Sequence, residues 1–171
     1  MRHVYLIGGR ACGKTTLGRV LAERLGCGFT DTDDLVVESV GMPIAEYVAL
    51  EGWEAFRDRE TEALERAGAM PPLVVSCGGG MVLRPRNRGI LRSGLCVYLH
   101  APAEVLAARL AADPKESQRP SLTGKGLLEE VSEVLATREK LYRECASVVL
   151  DADSDPETLL DLALAAIRSG S

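Results

Sequence analysis

Residues 8–15 read Gly8-Gly9-Arg10-Ala11-Cys12-Gly13-Lys14-Thr15, which satisfies the spacing GxxxxGK[ST]. The apolar run Val4–Ile7 precedes it, and Lys14–Leu25, with apolar residues at helical spacing, follows. A strand, a glycine-rich turn and a helix in that order form the context in which this motif cradles phosphate. Glycines let the backbone wrap closely round an anion, and the first N–H groups of the helix add the positive end of its dipole, roughly half an elementary charge. On this reading Lys14 reaches the β- and γ-phosphates and Thr15 ligates magnesium, while Gly8, Arg10, Ala11, Cys12, Gly13 and Thr16 border the phosphates. No Asn-Lys-x-Asp guanine reader occurs, so ATP is the expected nucleotide, its terminal phosphate passing to a small molecule.

Outward from the loop, short apolar runs alternate with longer segments of helical period. Strands are predicted over 4–7, 28–30, 73–76, 95–99 and 147–150, and helices over 14–25, 44–67, 103–112, 127–145 and 156–167. The last helix opens with the cap-like Asp155 before Pro156. This alternation predicts an α/β fold with a mainly parallel sheet. With 171 residues, 46% of them hydrophobic, the chain is expected to form one domain, 1–171, carrying movable insertions. Residues 113–126, rich in Pro, Ser, Gln, Arg, Gly and Lys, read as a functional lid, placed at about 112–125.

The net charge of −5 and a pI near 5.2 argue against a nucleic-acid footprint, so any anionic ligand has to be met by local cations. The cysteines, five in number and widely spaced, fit neither a disulfide framework nor a zinc site and suit a reducing cytoplasm. Val4–Ile7 is too short for a signal peptide, and no window reaches the length of a membrane span.

Two aspartates, Asp31 and Asp33, follow the second strand as Asp-Thr-Asp, and alternation in an extended segment would put both carboxylates on one side. At the carboxyl end of a strand one could hold magnesium through water while the other orients or deprotonates an acceptor hydroxyl. Helix capping before residues 35–40, by Asp33 or Asp34, is the competing use. Asp151, after the last strand, reads as a turn residue rather than as the magnesium acid. The triplet Gly78-Gly79-Gly80 after the third strand implies close backbone approach. Arg57, Arg119 and Arg138 fall on the long helix, the lid and the penultimate helix. His3 and His100 lack partners at metal spacing, Cys12 is expected to be open to oxidants when nucleotide is absent, and Trp53 is either a core anchor or a substrate reporter.

Taken in order, the P-loop, Asp31-Thr32-Asp33, Phe56-Arg57, Gly78-Gly79-Gly80, Arg119-Pro120, Arg138 with Leu141-Tyr142-Arg143, and Asp155-Pro156 resemble shikimate kinase over essentially the whole chain. The Arg-Pro-Ser-Leu-Thr-Gly-Lys lid looks especially like the second-isozyme type. The resemblance implies a three-layer α/β/α fold of the P-loop, nucleoside-monophosphate-kinase kind, with a five-stranded parallel sheet in the order 2-3-1-4-5. It also implies phosphorylation of the 3-hydroxyl of shikimate by magnesium ATP, on the way to aromatic amino acids. Carried over residue by residue, Asp31 becomes a magnesium partner through water and Asp33 the group that activates the acceptor hydroxyl. Arg57 and Arg138 would hold the substrate carboxylate, the backbone at Gly78, Gly79 and Gly80 the ring hydroxyls, and Arg119 the phosphates. Arg109 and Pro156 would flank adenine. A substrate-binding segment at about 32–60 and a monomer are expected. The carboxylate suits a forked guanidinium clamp. Two departures stand out: Ala11 where many relatives have glycine, which matters if that position needs φ > 0, and Ser121 where many have leucine. A gluconate-type kinase, a nucleoside-monophosphate kinase and a non-catalytic nucleotide-binding regulator are the rival functions.

Overall fold

A computed structural model describes residues 1–113 and 123–170. Strands β1 (Val4–Ile7), β2 (Gly28–Asp31), β3 (Leu73–Ser76), β4 (Leu95–His100) and β5 (Val148–Asp151) form one sheet, all pairs parallel, in the order β2-β3-β1-β4-β5. The central strand pairs Val4 with Val74 on one side and with Leu95 on the other. Helices α1 (Lys14–Leu25), α2 (Thr32–Val40), α3 (Ile44–Gly68), α4 (Pro85–Ser93), α5 (Ala103–Ala112), α6 (Leu127–Cys145) and α7 (Pro156–Ser169) complete the described chain, with a 3-10 turn at Met81–Leu83. The sheet order and fold class are those expected.

Buried parallel strands carry apolar side chains on both faces, and each face has its own core. Val4, Leu6, Val74, Val97 and Leu99 pack with Leu17 and Leu21 of α1 and Leu160 and Leu164 of α7. Their alternating neighbours Tyr5, Ile7, Val75, Cys96 and Tyr98 pack instead with Val36 of α2, Phe56 and Leu64 of α3, Leu91 of α4 and Tyr142 of α6.

The structure corrects the sequence reading of the secondary structure in three places. Helix α4 and the 3-10 turn fill a stretch given no element, and α3 is interrupted at Gly52, whose φ of 87° and ψ of 170° lie outside helical space. The alternation argument for the aspartates fails, because the strand ends at Asp31 and Asp33 lies in the first turn of α2. The cap of that helix is Asp31 itself, whose Oδ1 accepts from Asp33 N at 2.8 Å.

From the central β1 the chain passes to one side of the sheet, and from β3 it crosses to β4 on the other. The order therefore reverses between β1 and β3, and the loops leaving these two strands, 8–13 and 77–80, open the crevice in which ligands of such sheets sit.

Candidate active site

The phosphate end of the crevice is built on α1. Gly13 is its N-cap, with no side-chain cap bond and no acid in the first turn, so the opening amides remain available to an anion. Lys14 Nζ folds back onto the loop, donating to Gly8 O at 2.8 Å and Gly9 O at 2.9 Å. Burial opposes its charge, but Cys12, Tyr142 and Asp33 outweigh that effect and raise its pKa, so Lys14 stays cationic. Ala11 takes a φ of 62°, so this position does need the left-handed conformation. Cys12 is buried, with Sγ 3.5 Å from Lys14 Nζ, which overturns the expected exposure: the thiol faces the core beneath the loop.

Beside the loop, Thr15 Oγ1 donates to Asp31 Oδ2 at 2.8 Å and lies 3.3 Å from Ser76 Oγ. These hard oxygen donors suit magnesium, which usually keeps several waters and takes its remaining ligands from one or two carboxylates and the phosphates. Among the described residues no cluster of three or more His, Cys, Asp or Glu side chains could form a dedicated metal cage. A cavity of 350 Å³ joins Lys14, Thr15, Thr16, Asp31, Asp33, Ser76 and Arg109.

A second pocket adjoins it, lined by Asp33, Trp53, Arg57, Glu60, Gly78, Gly79, Gly80 and Arg138, and the two cavities share Arg10, Asp33, Gly78 and Gly79. The interruption at Gly52 lets both arms of α3 reach this pocket, Ile44 from the first and Trp53 to Glu60 from the second. Arg57 pairs with the buried Glu60 one turn on, and its guanidinium lies over the rings of Trp53 and Phe56 at 5.3 and 5.4 Å. Burial pushes the Glu60 carboxyl up, with Arg57 pulling the other way.

The glycine triplet is where these groups converge. A Cβ on Gly78 would stand 2.7 Å from Glu60 Oε2 and 3.0 Å from Asp33 Oδ1, one on Gly79 would stand 3.4 Å from Arg138 Nη1, and one on Gly80 would overlap the Arg57 guanidinium. The loop is pinned by Gly78 N donating to the buried Thr32 Oγ1 at 2.9 Å and by Tyr142 Oη donating to Gly79 O at 2.6 Å.

On the opposite side of the loop, Arg109 donates to Ala11 O at 3.3 Å and Ala152 O at 3.0 Å, and a cavity of 660 Å³ runs past Arg109, Ala152 and Pro156. The lid residue Arg119 lies outside the described residues. Asp151 is the last residue of β5, paired with His100, rather than a turn residue, and its Oδ1 accepts from Asp153 N at 2.9 Å. His3 stacks on Tyr5 and His100 meets Tyr98 edge-on, and neither lines the cavities described above.

Sequence reasoning passed over Glu60, Ser76 and Thr32. Glu60 could have been found from its i,i+3 spacing to Arg57, and Ser76 as the one polar residue ending a buried apolar strand. Thr32 gave no signal beyond lying between the aspartates.

A family model described as shikimate kinase matches residues 10–168 of the chain. A protein named shikimate kinase 2 from Syntrophotalea carbinolica is 52% identical over 166 residues, 96% of each chain. A shikimate kinase from Nitratidesulfovibrio vulgaris is 53% identical over 152 residues, 88% of this chain and 87% of its own. The solved structure of a shikimate kinase from Acinetobacter baumannii in complex with shikimate superimposes with a TM-score of 0.92 at 32% identity, covering 100% of this chain and 95% of the other.

Proposed function

The chain belongs to the shikimate kinase family and is a kinase that phosphorylates shikimate, and we propose that it does so by direct transfer from ATP between the two adjoining pockets. The observation that carries the residue assignments is the sharing of Asp33, Gly78 and Gly79 by the phosphate cavity and a pocket that ends in two arginines. An acceptor with a carboxylate at one end and a hydroxyl at the other spans that arrangement. Arg57 and Arg138 take the carboxylate, the backbone of Gly78, Gly79 and Gly80 faces the ring hydroxyls, and Asp33 takes the 3-hydroxyl.

Asp33 accepts the hydroxyl proton as the oxygen bonds to the γ-phosphorus and the bond from that phosphorus to the bridging oxygen of ADP breaks. Lys14 exchanges the carbonyls of Gly8 and Gly9 for phosphate oxygens, and the amides from Gly8 to Thr16 cradle the β-phosphate. Thr15 and Asp31, with Ser76 beside them, would hold Mg2+, which when bound neutralises phosphate charge. Arg109 and Pro156 border adenine, and Arg119, in a lid at about 112–125, meets the transferring group. The acceptor segment at about 32–60 and the lid belong to one domain of a monomeric cytoplasmic enzyme, in line with five unpaired thiols.

The test is coupled ADP release with magnesium ATP and shikimate, gluconate, quinate, AMP or no acceptor. Turnover is expected with shikimate above all, and Asp33→Asn should lower kcat by on the order of 10² or more while nucleotide still binds. ADP release confined to another acceptor would overturn the substrate. An unimpaired Asp33→Asn would remove that aspartate from the chemistry.

A further inference from the structure

Tyr142 is 1% exposed, yet its hydroxyl is neither idle nor merely packed. It donates to Gly79 O at 2.6 Å, and the charge of Arg138, one helical turn earlier on α6, acts on the same phenol. The neighbours are two of the pocket's own parts: Gly79 lies in the glycine triplet, and Arg138 lines the pocket with Nη1 3.4 Å from where a Gly79 Cβ would stand. Gly8 O, which also accepts from Lys14, lies on the same side of Gly79.

The ring is held independently of its hydroxyl. It stacks on Tyr98 with centroids 5.0 Å apart and planes 26° from parallel. Tyr98 in turn donates to Glu139, which accepts from Arg143 Nε at 2.6 Å. A phenylalanine at 142 would therefore keep its packing and lose only the hydrogen bond to Gly79 and the polar neighbour of Arg138.

We propose that Tyr142 is a positioning residue for the acceptor, its hydroxyl fixing the Gly79 carbonyl and the Arg138 guanidinium in the one geometry that receives shikimate. The inference rests on the kinase reading above. Without the hydroxyl, the glycine loop loses a tether on its pocket side, and Arg138 is free to swing along the groove it shares with Val134 and Leu135. Nucleotide binding should be untouched, because the phosphate loop keeps all of its own bonds.

Steady-state kinetics of Tyr142→Phe should show the KM for shikimate raised about three- to tenfold, the range of one hydrogen bond, with the KM for ATP and kcat within about twofold. Shikimate titration followed by Trp53 fluorescence should give the same loss without turnover. In an Arg138→Ala background the substitution should add less than it does in the unaltered chain, since one of its two targets is gone. Tyr98→Phe, which spares the hydroxyl of Tyr142, should leave the shikimate KM within about twofold.

An unchanged shikimate KM in Tyr142→Phe, an equal rise in both KM values, or an equal effect of Tyr98→Phe would each overturn the positioning role and leave a packing residue. Failure of the unaltered chain to turn over shikimate would instead remove the kinase reading itself, and the inference with it.

Discussion

Ala11 shows what a single departure in the P-loop does. The loop requires φ > 0 there, and this chain meets the requirement with a residue that has a Cβ, holding it at 62°. The left-handed conformation costs an L-residue about 1–2 kcal/mol, and a glycine gives back about 0.5–1 kcal/mol through its freer unfolded chain. Ala11→Gly should therefore stabilise the nucleotide-free protein by about 0.5–1 kcal/mol, read as a higher urea midpoint at unchanged m-value. Equal or lower stability would show that the loop already accommodates the alanine without strain. Asp31 is a different case, because one carboxylate does two jobs: Oδ1 caps α2 while Oδ2 faces Thr15. Capping and magnesium binding, set against each other as alternatives for the Asp-Thr-Asp motif, do not exclude one another, because the two oxygens of Asp31 face different partners.

At the scale of elements, the segment after β3 organises the pocket proposed for the acceptor, and Gly80 tests it cleanly. Its φ of −88° and ψ of 5° suit alanine, so the backbone gives no reason for glycine. Sterics do, since a Cβ would displace the guanidinium of Arg57 from its place beside Glu60. Gly80→Ala should raise the KM for shikimate by on the order of tenfold with the KM for ATP within about twofold and little loss of stability, because the displaced group is the far end of a flexible side chain. A normal shikimate KM would mean that the clamp does not depend on this contact. The same region marks the limit of what the sequence reveals. Buried strands such as β1 and β3 are legible because both faces are apolar, and α1 because a motif and a periodicity meet at Lys14. Helix α4 is not: Pro85-Arg86-Asn87-Arg88-Gly89 is polar, and only Asn87 and Leu91 of the helix are buried. The interruption at Gly52 hides for another reason, since the helical pattern resumes at once on its far side. Arg57 and Arg138 were legible only through the ordered set of motifs, because a helical arginine by itself looks solvated.

For the whole molecule, the two faces of the sheet differ in kind. The core beneath α1 and α7 is almost wholly aliphatic, whereas the core beneath α2, α3, α4 and α6 holds Tyr5, Cys77, Cys96, Tyr98, Tyr142 and Cys145. Burial, the largest cause in every case, raises the pKa of each, taking Tyr5 to about 12. In the unfolded chain the same thiols and phenols lose their protons near pH 8.5 and 10. Between those values and the folded ones the native state binds more protons, so stability is fully present below about pH 8.5 and falls as pH rises. The urea midpoint should decline from about pH 9 to about pH 11.5. A net charge of −5 grows more negative over the same range and would also weaken the fold by self-repulsion, but that contribution is screened by salt. The decline should therefore persist in about 0.5 M salt, where the Debye length is only a few ångströms, and become shallower in Tyr98→Phe, which removes one strongly shifted group. A midpoint that does not move with pH, or a slope that salt abolishes, would mean that the buried groups ionise as readily in the fold as outside it.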